Sequence, residues 1–255
     1  MATDSIPIEI WSIVIEILIL SNRKDVFALR LTCKTLSTEA QHALDRHIYI
    51  RGVISGVLFI ETLPSSTSPN PTLIQTLDIT IIYGPKISPI FNAALRSMPN
   101  LKVLKIGGAR LDGFQPVSLM EGVEFRLHTL WCDDWIITVP GLRLLQTGFA
   151  SQIEDLRLHS FSQYLSLDHN GMRKMSLLPR LVCLQLLTLS RTAFQLVLDR
   201  KVTRLSYKYS IWDDTKQGKC RSDWIRTLHL QNFHSGDSCE FPNVRHLHLS
   251  SSVSP

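Results

Sequence analysis

The sequence predicts an α+β chain: a small N-terminal cluster of three helices, then a curved α/β solenoid whose parallel sheet gains one strand per repeat. Three observations predict it. The apolar pattern Φ-x-x-Φ-x-Φ recurs eight times between residues 74 and 249. The first fifty residues carry a helical period instead. A shared proline signal precedes three of the eight motifs.

The helical part comes first. Ile10, Ile13, Val14, Ile17 and Leu18 recur at i, i+3, i+4, i+7 and i+8, one face of a helix. Pro7 suits its first turn, where a missing N–H costs nothing, and Ser21-Asn22 closes it. Val26, Leu29, Cys33 and Leu36 form a second helical stripe. Thr38-x-x-Gln41 offers a capping box for a third helix through about residue 47. The span 48–63 is apolar and β-branched, with Gly52 and Gly56 inside it, and predicts a first irregular strand or helix of the solenoid. Residues 64–72 read as a loop from their Pro, Ser, Thr and Asn content.

The motifs begin at Ile74, Leu101, Leu127, Ile153, Leu181, Val202, Ile225 and Val244, with spacings of 27, 26, 26, 28, 21, 23 and 19 residues. That is the spacing of leucine-rich repeats, in which each unit adds one short strand and must stack on its neighbours to bury its apolar face. Helical stretches are expected between early motifs, over 89–98 and 171–178. Met98-Pro99-Asn100-Leu101, Leu178-Pro179-Arg180-Leu181 and Phe241-Pro242-Asn243-Val244 share an entry signal, since proline disfavours helix before it and opens an extended segment. Leu142-x-x-Leu145 leaves one register open. A solenoid ordinarily ends in a polar cap. None is apparent after the last motif, so either that motif is the cap or the array is C-terminally incomplete.

Composition narrows the function classes. The 255 residues are 44% hydrophobic and 19% charged, which suits a folded core. No apolar run reaches the ~20 residues of a spanning helix. The N-terminus carries Asp4 and Glu9 rather than a basic region, so no signal peptide is expected. Five cysteines, with no C-x-x-C pair, suggest neither a disulfide framework nor a zinc cage, and a reducing compartment, cytoplasmic or nuclear, is expected. The net charge of +5 divides into −1 over residues 1–50 and +6 over the rest. A mild positive field over the repeats favours an acidic partner; ordinary solvation is the alternative.

Residues 6 to about 50 resemble an F-box. The residues that carry the resemblance are Ile6-Pro7-Ile8-Glu9-Ile10, then Val14 and Leu18, then Asp25-Val26 and Leu29-Arg30-Leu31-Thr32-Cys33-Lys34-Thr35-Leu36. Ile6 stands where the pattern has leucine and Leu36 where it often has tryptophan, and both keep apolar character. An F-box (residues 1–50) followed by divergent leucine-rich repeats (residues 51–255) resembles a substrate receptor of SCF-type cullin ubiquitin ligases. The resemblance implies that the F-box binds a Skp-type adaptor, and through it a cullin, while the repeats bind a client protein. The implied adaptor contacts are Ile6, Pro7, Ile8, Ile10, Leu18, Val26, Leu29, Cys33 and Leu36. A ligase-independent interaction scaffold is the other reading.

Side chains alternate along a strand, so the Φ positions point into the solenoid and the intervening ones face its concave side. The candidate client contacts there are Asp78, Lys105, Trp131, Asp133, Asp155, Arg157, Arg204, Lys208, His229, His246 and His248. Trp131 suits an interface anchor, or packing under a neighbouring loop. His229, His246 and His248 could meet on adjacent strands, yet nothing orients them as zinc ligands, and no metal or other cofactor is expected. The asparagine expected three residues after each motif is replaced by Ile82, Ala109, Trp135, Phe161, Leu189, Ser210, Phe233 and Ser252, so apolar or irregular turns are expected on the convex side. No phosphate-binding glycine loop, H-E-x-x-H or G-x-S-x-G occurs. Lys and Arg are too sparse among the aromatics for a nucleic-acid surface. A non-catalytic protein that binds neither nucleic acid nor membrane is expected.

Overall fold

The computed structural model describes residues 6–65, 69–82, 86–108, 119–137, 145, 148–161, 178–190, 197, 201–211, 220–231 and 239–250. They contain helices α1 (Ile8–Ser21), α2 (Arg23–Leu29), α3 (Lys34–Arg46), α4 (Val53–Thr62) and α5 (Ile87–Arg96). The strands are β1 (His47–Ile50), β2 (Thr76–Thr80), β3 (Val103–Gly107), β4 (Thr129–Ile137), β5 (Asp155–Phe161), β6 (Cys183–Ser190), β7 (Arg204–Ile211), β8 (Cys220–Arg221), β9 (Thr227–Gln231), β10 (Cys239–Glu240) and β11 (His246–Ser250). Nine of them form one open parallel sheet in the order β1-β2-β3-β4-β5-β6-β7-β9-β11, and β8 pairs with β10 apart from it.

Each of the eight motifs supplies one strand, and the pairing holds motif against motif. Leu77, Leu104, Leu130, Leu156, Leu184, Leu205, Leu228 and Leu247 lie opposite one another across successive strands. Two backbone features fix that register. At seven consecutive junctions one carbonyl, from Gln75, Lys102, His128, Glu154, Val182, Thr203 and Arg226 in turn, accepts from two successive N–H groups of the next strand's entry. Ahead of several motifs a single turn closes onto the first Φ residue, as in Leu101 N–H to Met98 C=O, Leu181 N–H to Leu178 C=O and Val244 N–H to Phe241 C=O. The proline signal has a partner in two of its three occurrences. The Asn100 amide donates to Thr72 C=O at 2.7 Å, and the Asn243 amide to Asp223 C=O at 3.0 Å, each stapling one repeat to the one before.

The Φ side chains of the first seven motifs are buried on one face of the sheet, together with Ile60 and Leu63 from the α4 end and Phe91, Ala94 and Leu95 of α5. Trp135, at one of the vacated asparagine places, is fully buried there too, whereas Ile82 is exposed. Ala109, Phe233 and Ser252 lie outside the described residues, as do the side chains of Phe161, Leu189 and Ser210. In the last motif Leu247 and Leu249 are 55% and 63% exposed, because among the described residues no strand lies beyond β11.

The first three helices pack on one another around a separate core of Ile15, Ile19, Val26, Leu36, Ala40, Ala43 and Leu44. Asn22 ends α1 and caps α2, its side chain accepting from Lys24 N–H and donating to Asp25. Three sequence expectations are corrected. The stripe Val26–Leu29–Cys33–Leu36 spans two helices, because α2 ends at Leu29 and Cys33 takes the N-cap position of α3. The capping box at Thr38 is not used: α3 starts a turn earlier, and the Thr38 hydroxyl donates back to Lys34 C=O within it. The stripe read on α1 is also divided. Ile15 and Ile19 are buried, with Trp11 and Leu18 packed beside them, and Ile10, Ile13 and Ile17 point outward.

The span 48–63 supplies both a strand and a helix, β1 and α4, separated by Gly52 at φ 102°. The sheet therefore begins at His47, inside the span read as helical. α5 covers most of the expected helix over 89–98; that over 171–178 lies outside the described residues except for Leu178. Leu145 is buried in the main core, and β5 pairs directly with β4, so the alternative register adds no strand between them.

Candidate functional site

Two surfaces gather the candidate residues. One is the outer face of the helical end. Its α1 helix is apolar nearly all round, and only one side enters its core. The other side presents Ile10, Ile13, Ile17 and Leu20 at spacings of three and four residues, which aligns them along the helix. Ile13, Ile17 and Leu20 are 57, 61 and 69% exposed. Phe27 on α2 and Leu31 beyond it are also exposed, Leu31 at 88%. A helix apolar on all sides is ordinarily buried on all sides, so this stripe is unusual on a free surface.

The nine expected adaptor contacts divide by burial. Ile6, Pro7, Ile10 and Cys33 are exposed, and Ile8 is half-buried. Leu18 and Leu29 pack against the helical core. Val26 and Leu36 are inside it and have no surface to offer a partner. Sequence reading placed Ile13 and Ile17 on the same helix face as Ile10 but did not name them as contacts, and it omitted Leu20, Phe27 and Leu31. A signal was present: α1 carries more apolar residues than one helix face can bury.

The helical end is joined to the sheet by side-chain contacts the sequence did not disclose. Glu16 of α1 takes the Arg46 guanidinium at 2.9 Å and His47 Nε2 at 2.6 Å, while His47 Nδ1 lies 3.0 Å from the Thr76 hydroxyl of β2. The ring of His47 thus bridges the Glu16 carboxylate and the Thr76 hydroxyl, one through each nitrogen. His47 and Thr76 are both buried, which makes this chain of bonds a structural seam. Arg23 of α2 adds a second seam. It donates to Tyr49 C=O at 3.2 Å, its guanidinium carbon lies 5.2 Å from the Tyr49 ring centroid, and burial pulls its pKa below the ordinary value.

The second surface is the sheet face opposite the main core. Parallel register places Tyr49, Asp78, Lys105, Trp131, Arg157, Gln185, Ser206, His229 and His248 in one line across nine strands. The Lys105 ammonium lies 3.8 Å from the centroid of the Trp131 ring, and the Arg157 guanidinium carbon 5.5 Å from it. Asp78 is corrected as a presented residue: it is buried, its carboxylate 3.2 Å from Arg51. Arg204 is exposed, and Asp155 and Lys208 are half-buried. The side chain of Asp133 lies outside the described residues. Next to Asp155, Cys183 is buried; burial first, then the Asp155 charge, pushes its thiol up to about 11.

Of the three histidines, His229 and His248 meet. Their rings stack with centroids 4.1 Å apart and 14° between planes. His246 stands one level away, opposite Thr227. Burial, then the His248 ring, holds the His229 pKa below the ordinary value. Among the described residues no group of three or more His, Cys, Asp or Glu is placed to hold a metal ion, and no helix is long and apolar enough to cross a membrane. Comparison with protein-family models, curated proteins and solved structures found no match to this chain.

Proposed function

We propose that the chain is the substrate-recognition subunit of an SCF-type cullin ubiquitin ligase. In this reading residues 1–50 are an F-box-like helical domain and residues 51–255 a divergent leucine-rich-repeat solenoid with the open sheet face as its concave side. The helical end captures a Skp-type adaptor and through it a cullin; the sheet holds a client protein. The chain contributes binding and no chemistry of its own, and it works in the cytoplasm or nucleus.

The observation that carries the reading is the exposed apolar stripe of α1 and α2 on a helical unit that already has its own core. Removing such side chains from water contributes about 1.5–3 kcal/mol for each one fully buried, before the cost of association. The adaptor contacts, relative to the motif, therefore lose Val26 and Leu36, keep Ile10 and gain Ile13, Ile17, Leu20, Phe27 and Leu31. The seams at Glu16 and Arg23 support the two-ended design, because a receptor must hold its client at a fixed place relative to the adaptor.

The test is co-precipitation of a Skp-type adaptor and cullin with the intact chain and with an Ile13→Asp/Ile17→Asp variant. Both positions are exposed, so the variant should keep the circular dichroism of the parent while an unpaired charge in the contact abolishes capture. Failure of the intact chain to capture the adaptor, where a known F-box protein succeeds, assigns the chain to the ligase-independent scaffold.

A further inference from the structure

The last two repeats carry a cysteine at the same place. Cys220 stands five residues before Ile225, which opens the seventh motif, and Cys239 five residues before Val244, which opens the eighth. No earlier repeat has cysteine there. Equivalent places in stacked repeats lie against one another. The backbone follows that rule here: β8 and β10 pair in parallel with Cys220 directly opposite Cys239. Three bonds just beyond the pair hold the register. Ser222 N–H donates to Glu240 C=O at 3.0 Å, the Asn243 amide to Asp223 C=O at 3.0 Å, and the Arg226 guanidinium to Asn243 C=O at 3.4 Å. Neighbouring strands run about 4.8 Å apart, and residues opposite one another share a face of the ladder. Disulfides join Cα atoms about 4.4–6.8 Å apart. The two cysteines are 19 residues apart in sequence, so no local spacing discloses them as a pair.

We propose that Cys220 and Cys239 form a reversible disulfide that clips the last repeat to the one before it, with glutathione disulfide as the oxidant. One cysteine thiolate attacks a sulfur of glutathione disulfide, whose S–S bond breaks and releases a glutathione thiolate. The other cysteine thiolate then attacks the protein sulfur of that mixed disulfide, and the second glutathione leaves. Two protein thiols are oxidised and one glutathione disulfide is reduced to two glutathiones, whose thiolates take up the two protons the cysteines lose. The last repeat is where such a clip acts. Leu247 and Leu249 are exposed, so β11 depends on its ladder with β9 and on the Asn243 staple. Segments with few buried apolar contacts open locally most easily. A bond that closes the 220–239 loop takes freedom from the opened chain and so disfavours opening. In a reducing compartment the bond forms only under oxidation and is undone afterwards. The inference stands without the receptor reading.

The experiment incubates the folded full chain with glutathione disulfide, quenches with N-ethylmaleimide, digests with trypsin and reads the products by mass spectrometry. The expected product joins the dipeptide Cys220-Arg221 to the peptide 227–245, and dithiothreitol separates them. Cys220→Ser and Cys239→Ser should each lose it, with thermal melts confirming that both fold. Cys33→Ser, at an exposed cysteine elsewhere, should keep it. Hydrogen exchange over residues 239–250 should slow about tenfold or more in the oxidised chain, and should not slow in Cys220→Ser treated alike. The inference is overturned if the folded chain yields only glutathione adducts, or if the linked product appears only after denaturant is added. It is also overturned if Cys33 joins either cysteine as readily as they join one another, or if exchange over 239–250 is the same in the oxidised and reduced chains.

Discussion

At the residue scale, the open face mixes reactive types in settings that change their chemistry. Cys183 faces the same side as Lys105 and Trp131, yet its thiol, pushed up to about 11, is protonated at neutral pH. At pH 8 that leaves roughly a hundredfold fewer thiolates than an ordinary cysteine, and the thiolate is the reactive form. Iodoacetamide labelling at pH 8, read by mass spectrometry, should modify exposed Cys33 first and leave Cys183 and buried Cys132 unmodified until denaturant is added. Comparable labelling of Cys183 and Cys33 would place Cys183 in a more open setting than the structure gives it. His229 gives a second residue-scale test. Its folded pKa is lowered by burial and by His248, so the unfolded chain binds the proton more readily. The stability it contributes is present above the ordinary histidine value of about 6.5 and is lost as pH falls through the folded value. Thermal melts should therefore fall below that pH, and NMR titration of His248→Ala should show His229 moving back toward the ordinary value. An unmoved His229 would mean that the stacked ring is not a cause of the shift.

At the element scale, the repeat is the unit that the sequence displays. Eight apolar triplets at spacings of 19 to 28 residues specify eight strands, and because side chains alternate, the same triplets specify which face is buried. Replacing Leu104 or Leu156, both fully buried, with Ala should cost about 2–5 kcal/mol. Leu249→Ala, at the close of the last motif, should cost less than about 0.5 kcal/mol because its side chain is already mostly in solvent. Denaturant melts check both, and equal losses would contradict the burial of the repeat face. What the pattern could not give is equally physical. A helix apolar nearly all round has no periodic signal that selects its core face, so the stripe Ile10–Ile13–Val14–Ile17–Leu18 did not tell buried residues from exposed ones. β1 lacks the triplet altogether, since His47 begins it and half-buried Tyr49 and Ile50 end it. The staples of Asn100 and Asn243 lay hidden inside a signal read as proline punctuation alone, because an amide reaching back twenty or more residues leaves no local trace.

At the scale of the whole molecule, the two candidate surfaces were legible to different degrees. The open sheet face followed from alternation, and the structure places Lys105, Trp131 and Arg157 together on it. It withdraws Asp78 into an ion pair and separates His246 from the stacked pair. The helical face followed only from a motif resemblance, which mixed core residues such as Val26 and Leu36 with surface ones. The seams through Glu16–His47–Thr76 and Arg23–Tyr49 bind residues far apart in sequence, so only the folded chain displays them. They fix the exposed stripe of α1 and α2 relative to the sheet.

The central claim is that this stripe is where an adaptor docks, and hydrogen exchange tests it most directly. The intact chain would be exchanged alone and with a purified Skp-type adaptor, and the amides compared peptide by peptide. The account predicts added protection concentrated in residues 8–31, with the sheet from β2 to β11 unchanged. No added protection anywhere, or protection confined to the open face of the sheet, would contradict it.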